Sequence, residues 1–278
     1  MATEVSAVET VTGELVEIRP GRRISLAVAE GSGATTVFLC HGGGGNKDQW
    51  RNQWKALTAA GVRVVAWDNV GHGSSPQPPV RALYRGEEFV ADLAKLLDRY
   101  GQGKIVLAGH SYGTRQILAL LAGYAKTGEL NRISSAVLYA PPPAGGGLGV
   151  GPIAWLPPLI LEWLRPTLSR RFRELAWHPE TDPALIDYEE SLTKRNSLYM
   201  TQALLTQAVQ VSDEDLARIA LPITILAGAE DQLTPPGFAE ALAAKLPSTI
   251  FQVIEKSGHQ IMLEQPERAT APLLGAIA

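Results

Sequence analysis

The stretch Lys104–Leu118, KIVLAGHSYGTRQIL, changes its hydrophobic period at a serine. Residues 104–108 have the continuous apolar character of a short buried strand, and residues 114–124 place apolar side chains at helical spacing. Ser111 lies between the two patterns. A sharp turn from strand to helix holds its apical residue in an uncommon backbone conformation, with the side chain exposed beyond the end of the sheet.

Two glycines, Gly109 and Gly113, flank this serine two residues away on either side. A tight turn brings the strand close to the first helical turn, so side chains at these positions would collide. The amides and dipole at the start of the helix would favour negative charge, as on an alkoxide or a tetrahedral adduct. The chain has 27 glycines, so the pattern could occur by chance. The flanking strand and helix favour a nucleophile.

The composition of the 278-residue chain is typical of a globular protein, with 45% hydrophobic and 19% charged residues. A net charge of -3 and the lack of a basic stripe argue against a nucleic-acid partner. The single cysteine, Cys40, excludes an intramolecular disulfide. The first residues are acidic and lack the basic and apolar regions of a secretory signal, so we expect a cytoplasmic protein. The oligomeric state cannot be read from the sequence.

Apolar runs alternate with helical patterns along most of the chain. Because the runs are apolar on both faces, we expect helices on both sides of a doubly wound, mostly parallel α/β sheet. The first part, GELVEIRPGRRISLAVAE (13–30), predicts an antiparallel hairpin at a sheet edge. The other predicted strands are 35–40, 62–67, 104–109, 135–140, 222–228 and 249–254, and the predicted helices are 48–60, 87–100, 114–126 and 236–246.

One interval, 142–220, breaks this rhythm with helical patterns only. We expect it to form a helical cap or lid inserted in a core domain of residues 1–141 and 221–278, lying over the strand ends where ligands bind. A helical domain packed elsewhere is the alternative. The insertion begins near a hinge-like stretch, PPPAGGGLGVG (141–151). Its most apolar segment (148–164) contains three prolines and Glu162, so no integral membrane segment is expected.

Polar residues follow two later strands, in ILAGAEDQLTPP (225–236) and VIEKSGHQIMLEQPE (253–267). Together with Ser111, these segments resemble the α/β-hydrolase superfamily, in which the catalytic order is serine, acid, histidine. The resemblance extends from about 37 to 274 and implies the α/β-hydrolase fold, with the helical cap after the sixth strand. It implies Ser111 as nucleophile, Asp231 as acid and His259 as base. Glu230 is the rival acid, but the superfamily places the carboxylate third after the glycine.

The resemblance also implies an oxyanion hole, because attack on a carbonyl needs preorganised donors. The glycines of CHGGGGNKDQW (40–50) would let the backbone approach a substrate. By position, the donors are the backbone N–H groups of Gly43 and Tyr112. The hormone-sensitive-lipase branch also has a glycine-rich loop, but with an Asp-Ser-Ala elbow. The His-Ser-Tyr elbow here does not place the chain in that branch.

Other conspicuous residues receive more modest interpretations. Candidate substrate-pocket residues are His41, His110 and Trp155, although both histidines could be structural. We interpret Asp68 and His72 as structural residues of a turn, and His178 as a solvent-facing loop residue. Neither a metal site nor a phosphate loop is expected, because the required spacings are missing from the sequence.

These interpretations predict a serine hydrolase that needs no cofactor. Ser111 would attack an ester, lactone or thioester of a small apolar substrate, and water would release the acyl group. A serine rather than an aspartate at the elbow disfavours dehalogenase and epoxide-hydrolase chemistry. Alternatives are hydrolysis of a carbon–carbon bond in a ring-cleavage diketone, and a ligand receptor that retains the triad. The tryptophans and leucines of 142–220 could line an apolar pocket, pack against the core or contact a membrane.

Overall fold

The described part of the chain folds around one sheet of eight strands in the order β1-β2-β4-β3-β5-β6-β7-β8. The computed structural model describes residues 10–143, 155–194 and 196–278. The strands are β1 (Glu14–Arg19), β2 (Arg22–Ala29), β3 (Thr35–Cys40), β4 (Arg63–Asp68), β5 (Lys104–His110), β6 (Ser135–Tyr139), β7 (Ile223–Gly228) and β8 (Thr249–Ile254). Strands β3 to β8 pair in parallel, and the β1–β2 hairpin joins β4 antiparallel. The predicted doubly wound sheet with an edge hairpin is confirmed.

Two apolar cores cover the two faces of the sheet. One contains side chains of α2, α3 and α8, and the other contains side chains of α1, α9 and α10. The helices of the core are α1 (Arg51–Ala59), α2 (Gly86–Tyr100), α3 (Tyr112–Thr127), α8 (Pro236–Ala243), α9 (Ile261–Glu264) and α10 (Pro266–Ile277). Strands β3 and β4 are buried along their whole length, as their continuous apolar pattern predicts.

Strand β8 departs from the expectation that every apolar run would be buried on both faces. It forms the edge of the sheet opposite the hairpin. Its Ile250 is 61% exposed and its Val253 is 38% exposed. The expectation was wrong here because the strand has a neighbour on one side only, and periodicity does not reveal the position of a strand in a sheet.

Four helices are described between β6 and β7, where the α/β-hydrolase resemblance implies an inserted helical segment: α4 (Pro158–Ala176), α5 (Pro183–Thr193), α6 (Leu198–Thr206) and α7 (Asp213–Ala217). We refer to them as the inserted helices. Most of the hinge-like stretch at 141–151 lies outside the described residues. None of the described helices is both long enough and apolar enough to cross a membrane.

The order of the strands determines where a ligand can bind. Strand β3 lies between β4 and β5, so the chain leaves β3 towards one side and later returns on the other. In such a sheet the loops after the two diverging strands separate and leave a crevice at their carboxyl ends. The loop after β3 begins at His41, and the loop after β5 contains Ser111.

Candidate active site

Ser111 occupies a strained turn between β5 and α3, with φ 49° and ψ -115°. The two flanking glycines lie close to neighbouring atoms, and at Gly113 the nearest atom belongs to rigid backbone. A Cβ on Gly109 would lie 2.6 Å from Cδ1 of Ile117, and one on Gly113 would lie 2.5 Å from the carbonyl oxygen of Cys40. The predicted collision at both positions is confirmed. Strained backbone of this kind, in a residue other than glycine, persists where the surrounding structure enforces it, often at functional sites.

Neighbouring backbone fixes the serine. Its amide donates a hydrogen bond to the carbonyl oxygen of Tyr139, at 2.8 Å. Its carbonyl oxygen accepts from the amide of Thr114 at 2.9 Å and from the hydroxyl of the same residue at 2.6 Å. These bonds fix the backbone of Ser111 but not its side chain, and the residue is partly exposed.

Asp231 and His259, on the loops after β7 and β8, form a buried pair in which Oδ2 of the aspartate lies 2.8 Å from Nδ1 of the histidine. The aspartate also accepts hydrogen bonds from the amides of Leu233 and Thr234, each at 2.8 Å, and from the Thr234 hydroxyl at 2.7 Å. Burial by itself would raise the pKa of Asp231, but His259 and these donors outweigh it and lower the pKa. The carboxylate therefore remains ionised and orients the imidazole through Nδ1.

His110 connects the serine turn to the histidine loop. Its ring centroid lies 4.7 Å from that of His259, and its Nε2 lies 2.9 Å from the carbonyl oxygen of His259. Burial, followed by the proximity of His259, lowers the pKa of His110 well below its ordinary value, so the ring is neutral at pH 7. A neutral ring that donates from Nε2 leaves Nδ1 without a proton. Ser111, the next residue, is thereby held beside the loop of His259.

The glycine-rich loop after β3 lies directly against the serine turn. A Cβ on Gly42 would lie 2.6 Å from Nδ1 of His110 and 3.3 Å from Cβ of Ser111. A Cβ on Gly43 would lie 3.4 Å from Cβ of Tyr112. Glycine at these positions therefore lets the loop backbone approach the nucleophile.

Free amides are present where an oxyanion hole is predicted. In this loop the amide of Gly42 donates to Oε1 of Gln49 at 3.2 Å, and the amide of Gly45 donates to the carbonyl oxygen of Gly42 at 3.1 Å. The amides of Gly43 and Tyr112 have no acceptor among the described residues. Two such donors beside a nucleophile can stabilise a negatively charged oxygen.

The structure separates the two candidate acids. Glu230 directs its Oε2 to the amide of Ser257, at 3.0 Å, and its Oε1 lies 3.9 Å from Nε2 of His178. It therefore supports the loop after β8 from outside, while Asp231 contacts His259. The expectation that His178 faces solvent was wrong, since its side chain is 13% exposed and lies between the inserted helices and Glu230.

The candidate pocket residues occupy different surroundings. His41 is fully buried, with Nδ1 2.7 Å from the carbonyl oxygen of Gly42 and Nε2 accepting from the amide of Asn69 at 2.9 Å. With both nitrogens occupied, its ring supports the loop and cannot reach a substrate without moving. His110 is also buried, at 1% exposure, whereas Trp155 is 67% exposed and stacks near the guanidinium of Arg81.

The turn after β4 has the structural character that the sequence predicts. Asp68 accepts from the amide and the Nζ of Lys47, at 2.8 and 2.9 Å, and from the amide of Ser74 at 2.8 Å. His72 is buried, and its ring centroid lies 4.8 Å from that of His41. Both residues therefore support the loop after β3.

Three supporting residues were missed by the sequence analysis: Thr234, Gln49 and Glu264. Thr234 donates a hydrogen bond to Asp231. Gln49 accepts a hydrogen bond from the amide of Gly42, and its Nε2 donates to Oε1 of Gln260 at 3.3 Å. An Asp followed three residues later by Thr is a recognisable signal for a side-chain capped turn. Glutamine and glutamate at isolated positions give no such signal.

Comparison with known proteins agrees with this fold. A profile of the alpha/beta hydrolase family matches residues 37–273. The chain therefore belongs to the alpha/beta hydrolase family.

Several curated relatives are much longer than this chain. The chain is 30% identical over 266 residues to the dihydrolipoyllysine-residue acetyltransferase component of an acetoin cleaving system from Pseudomonas putida, covering 91% of this chain and 66% of that protein. It is 26% identical to mouse Protein ABHD8, covering 83% of this chain and 52% of that protein. The chain thus spans about half the length of ABHD8.

Solved structures share the fold at low sequence identity. An esterase from Exiguobacterium antarcticum superposes with a TM-score of 0.81 at 21% identity, covering 96% of this chain and 99% of the other. A bromoperoxidase from Bacillus anthracis superposes with a TM-score of 0.80 at 20% identity, with the same coverage of both chains. These likenesses establish the architecture alone.

Proposed function

We propose that the protein is a serine hydrolase of carboxylic esters that acts through an acyl-enzyme. The observation that carries the proposal is the buried contact of 2.8 Å between Asp231 Oδ2 and His259 Nδ1, at the sheet edge that also holds the strained Ser111. Since Nδ1 is engaged with the carboxylate, Nε2 of His259 is the nitrogen available as a base.

The steps follow from these positions. Nε2 of His259 takes the hydroxyl proton of Ser111 as Oγ attacks the carbonyl carbon, and the carbonyl oxygen becomes an oxyanion facing the amides of Gly43 and Tyr112. The imidazolium then gives its proton to the leaving alcohol. Water, deprotonated by the same nitrogen, attacks the acyl-enzyme and releases the acid, and the Ser111 hydroxyl is restored. Asp231 stays ionised throughout because its pKa is lowered.

An apolar acyl group is favoured by the inserted helix α6. A Cβ on Gly43 would lie 3.1 Å from Cδ1 of Leu204, so this leucine covers the loop that holds the proposed oxyanion donor. Asn196, just before the helix, donates from Nδ2 to the carbonyl oxygen of Gly44. We therefore propose that the inserted helices act as the roof of the site, and that Leu204 contacts the group attached to the carbonyl carbon.

The test is turnover of nitrophenyl esters by the wild type, Ser111→Ala and the matched control Ser32→Ala in an exposed loop. We expect Ser111→Ala to lose at least about 10³-fold in kcat with its circular dichroism unchanged, because the nucleophile is removed and the fold is not. A phosphonylating probe should label Ser111 in the wild type and in Ser32→Ala. Wild-type-like turnover by Ser111→Ala would refute the assignment.

A substrate series sharpens the reaction class. Esters with acyl chains of two to twelve carbons, a lactone, a thioester and a ring-cleavage diketone should be compared on the wild type and Leu204→Ala. We expect the acyl-length optimum to move to longer chains in Leu204→Ala. Turnover confined to the diketone would replace ester hydrolysis by carbon–carbon bond hydrolysis. Tight binding without turnover of any substrate would indicate a receptor.

A further inference from the structure

The carboxylate of Glu264 bridges two parts of the molecule that are far apart in the sequence. Its Oε1 accepts hydrogen bonds from the amide of His178 and the hydroxyl of Thr181, both at 2.7 Å. Its Oε2 accepts from the amide of Gly258 at 2.9 Å and lies 3.5 Å from the hydroxyl of Ser257. One oxygen thus holds the segment after α4, and the other holds the residue immediately before His259.

Backbone hydrogen bonds join the same two regions next to this bridge. The amide of His259 donates to the carbonyl oxygen of Ala176 at 2.7 Å, and the amide of Gln232 donates to that of Leu175 at 3.1 Å. The last carbonyl groups of a helix have no partner within the helix and need donors from elsewhere. At the end of α4 those donors come from the loops that carry the proposed base and acid.

The contact between these regions is close. A Cβ on Gly258 would lie 2.7 Å from the carbonyl oxygen of Ala176 and 2.9 Å from the amide nitrogen of His178. A small apolar cluster seals it, with members from both sides. Ala176 and Ile186 come from the inserted helices, Trp177 directly follows α4, Leu263 comes from α9, and Leu185 and Leu233 pack against them. Separation would therefore expose apolar surface as well as break hydrogen bonds.

From this arrangement we infer that Glu264 is a positioning residue, which fixes the loop of His259 against the end of α4. The inference rests on the proposed function in taking His259 as the base. Its consequence is that the inserted helices are coupled to catalysis at this end: displacement of residues 175–181 would also shift the amide and ring of His259. A shift of about 1 Å in a catalytic group can reduce a rate about 100-fold.

The test compares Glu264→Gln with Glu267→Gln, which makes the same charge change at an exposed position three residues later. Glutamine has one acceptor oxygen, and its NH₂ group would face donors on the other side, so one half of the bridge is lost. We expect kcat on a nitrophenyl ester to fall about tenfold or more in Glu264→Gln, with KM within about twofold of the wild type. Glu267→Gln should match the wild type.

Hydrogen exchange gives a readout that does not depend on activity. At least one of the amides of His178 and Gly258 should exchange faster in Glu264→Gln, because glutamine keeps an acceptor oxygen on one side of the bridge only. Both amides should exchange at the wild-type rate in Glu267→Gln. Thr181→Val removes one donor at nearly constant volume and serves if Glu264→Gln does not fold. The double variant should lose less kcat than the product of the fold-losses in the two single variants, because both substitutions disrupt the same bridge.

Two results would overturn the inference. One is kcat in Glu264→Gln equal to that of Glu267→Gln, with both amides as protected as in the wild type. The other is a loss of kcat that matches the unfolded fraction, because Glu264 would then be required only for folding. A wild type that hydrolyses no ester and is not labelled at Ser111 contradicts the proposed function instead, and the amide exchange rates still decide whether the bridge exists.

Discussion

The carboxyl edge of the sheet and helix α4 lie next to each other but differ in burial: polar side chains at the edge are buried and hydrogen-bonded, whereas most of the described side chains of α4 are not buried. At the sheet edge, Asp231 and Asp68 are buried, and each accepts several hydrogen bonds. Among the described side chains of α4, Leu161 and Ala176 are buried, near the two ends of the helix. Trp163, between them, is 80% exposed.

The difference shows how rigidity is distributed in the molecule. Buried polar groups at the sheet edge have fixed partners, and losing one partner leaves the other unsatisfied, at a large cost in free energy. The middle of α4 contributes little to the core. Substitutions should therefore have large effects at the edge and at the ends of α4, and small effects along the exposed part of the helix.

The largest effect on stability is expected from Asp68→Asn. The substitution leaves the buried ammonium group of Lys47 without a carboxylate partner, and removing one partner of a buried ion pair costs about 3–5 kcal/mol. The measurement is the free energy of unfolding from urea titrations. Asp98→Asn is the control, because Asp98 is 49% exposed and pairs with Arg132 at the surface, where such a pair contributes about 1 kcal/mol or less. Equal losses in the two variants would contradict the comparison.

A second prediction tests the anchored end of α4. Leu161→Ala should lower the free energy of unfolding by about 2 kcal/mol, because Leu161 is 3% exposed and its truncation leaves a cavity. The decrease should be accompanied by a change in the acyl-length preference of the enzyme, since the inserted helices form the proposed roof. An unfolding free energy within about 0.5 kcal/mol of the wild type would show that this end of the helix is not anchored.

A third prediction concerns pH and the buried histidines behind the sheet edge. Burial, and then the proximity of His41, lowers the pKa of His72 well below the ordinary value of about 6.5. Below a pH of about 6.5, His72 therefore binds a proton in the unfolded chain but stays neutral in the folded protein. The free energy of unfolding should fall as the pH drops below about 6.5, with a contribution from His72 of at most about 1.4 kcal/mol per pH unit.

The control for this pH effect is His72→Phe, which keeps an aromatic ring against Phe89 and removes the titrating group. Urea titrations at pH 7, 6 and 5 should show a smaller loss of stability in the variant than in the wild type. Parallel losses would show that His72 does not contribute to the pH dependence. His41 and His110, whose pKa values are also lowered by burial, remain in both proteins and cancel in the difference.

The sheet and the candidate triad could be predicted from the sequence because their signals are local. Apolar runs of strand length gave the order of elements, and Ser111, Asp231 and His259 each follow such a run directly. The two glycines of the motif, on either side of Ser111, indicate that the backbone packs closely there. The position of β8 at the edge of the sheet was harder to predict. Its continuous apolar run resembles those of buried strands, although Ile250 is exposed.

What could not be predicted depends on contacts between distant parts of the chain. Thr181 and Glu264 are 83 residues apart, and Gln49 and Gln260 are 211 residues apart. Nothing in the immediate surroundings of these residues distinguishes them from surface side chains. The expectation for His178 was wrong for the same reason, since its neighbour Glu230 belongs to another loop.

The smallest effect is expected from Trp163→Ala, two residues from Leu161 on the same helix. Trp163 is 80% exposed, so its truncation should change the free energy of unfolding by less than about 0.5 kcal/mol, in contrast to the larger loss in Leu161→Ala. Urea titration and turnover of a short-chain ester, measured on both variants, test the pair. A loss in Trp163→Ala as large as that in Leu161→Ala would mean that the middle of α4 is covered in solution. Such a result would abolish the distinction between the sheet edge and the exposed part of this helix.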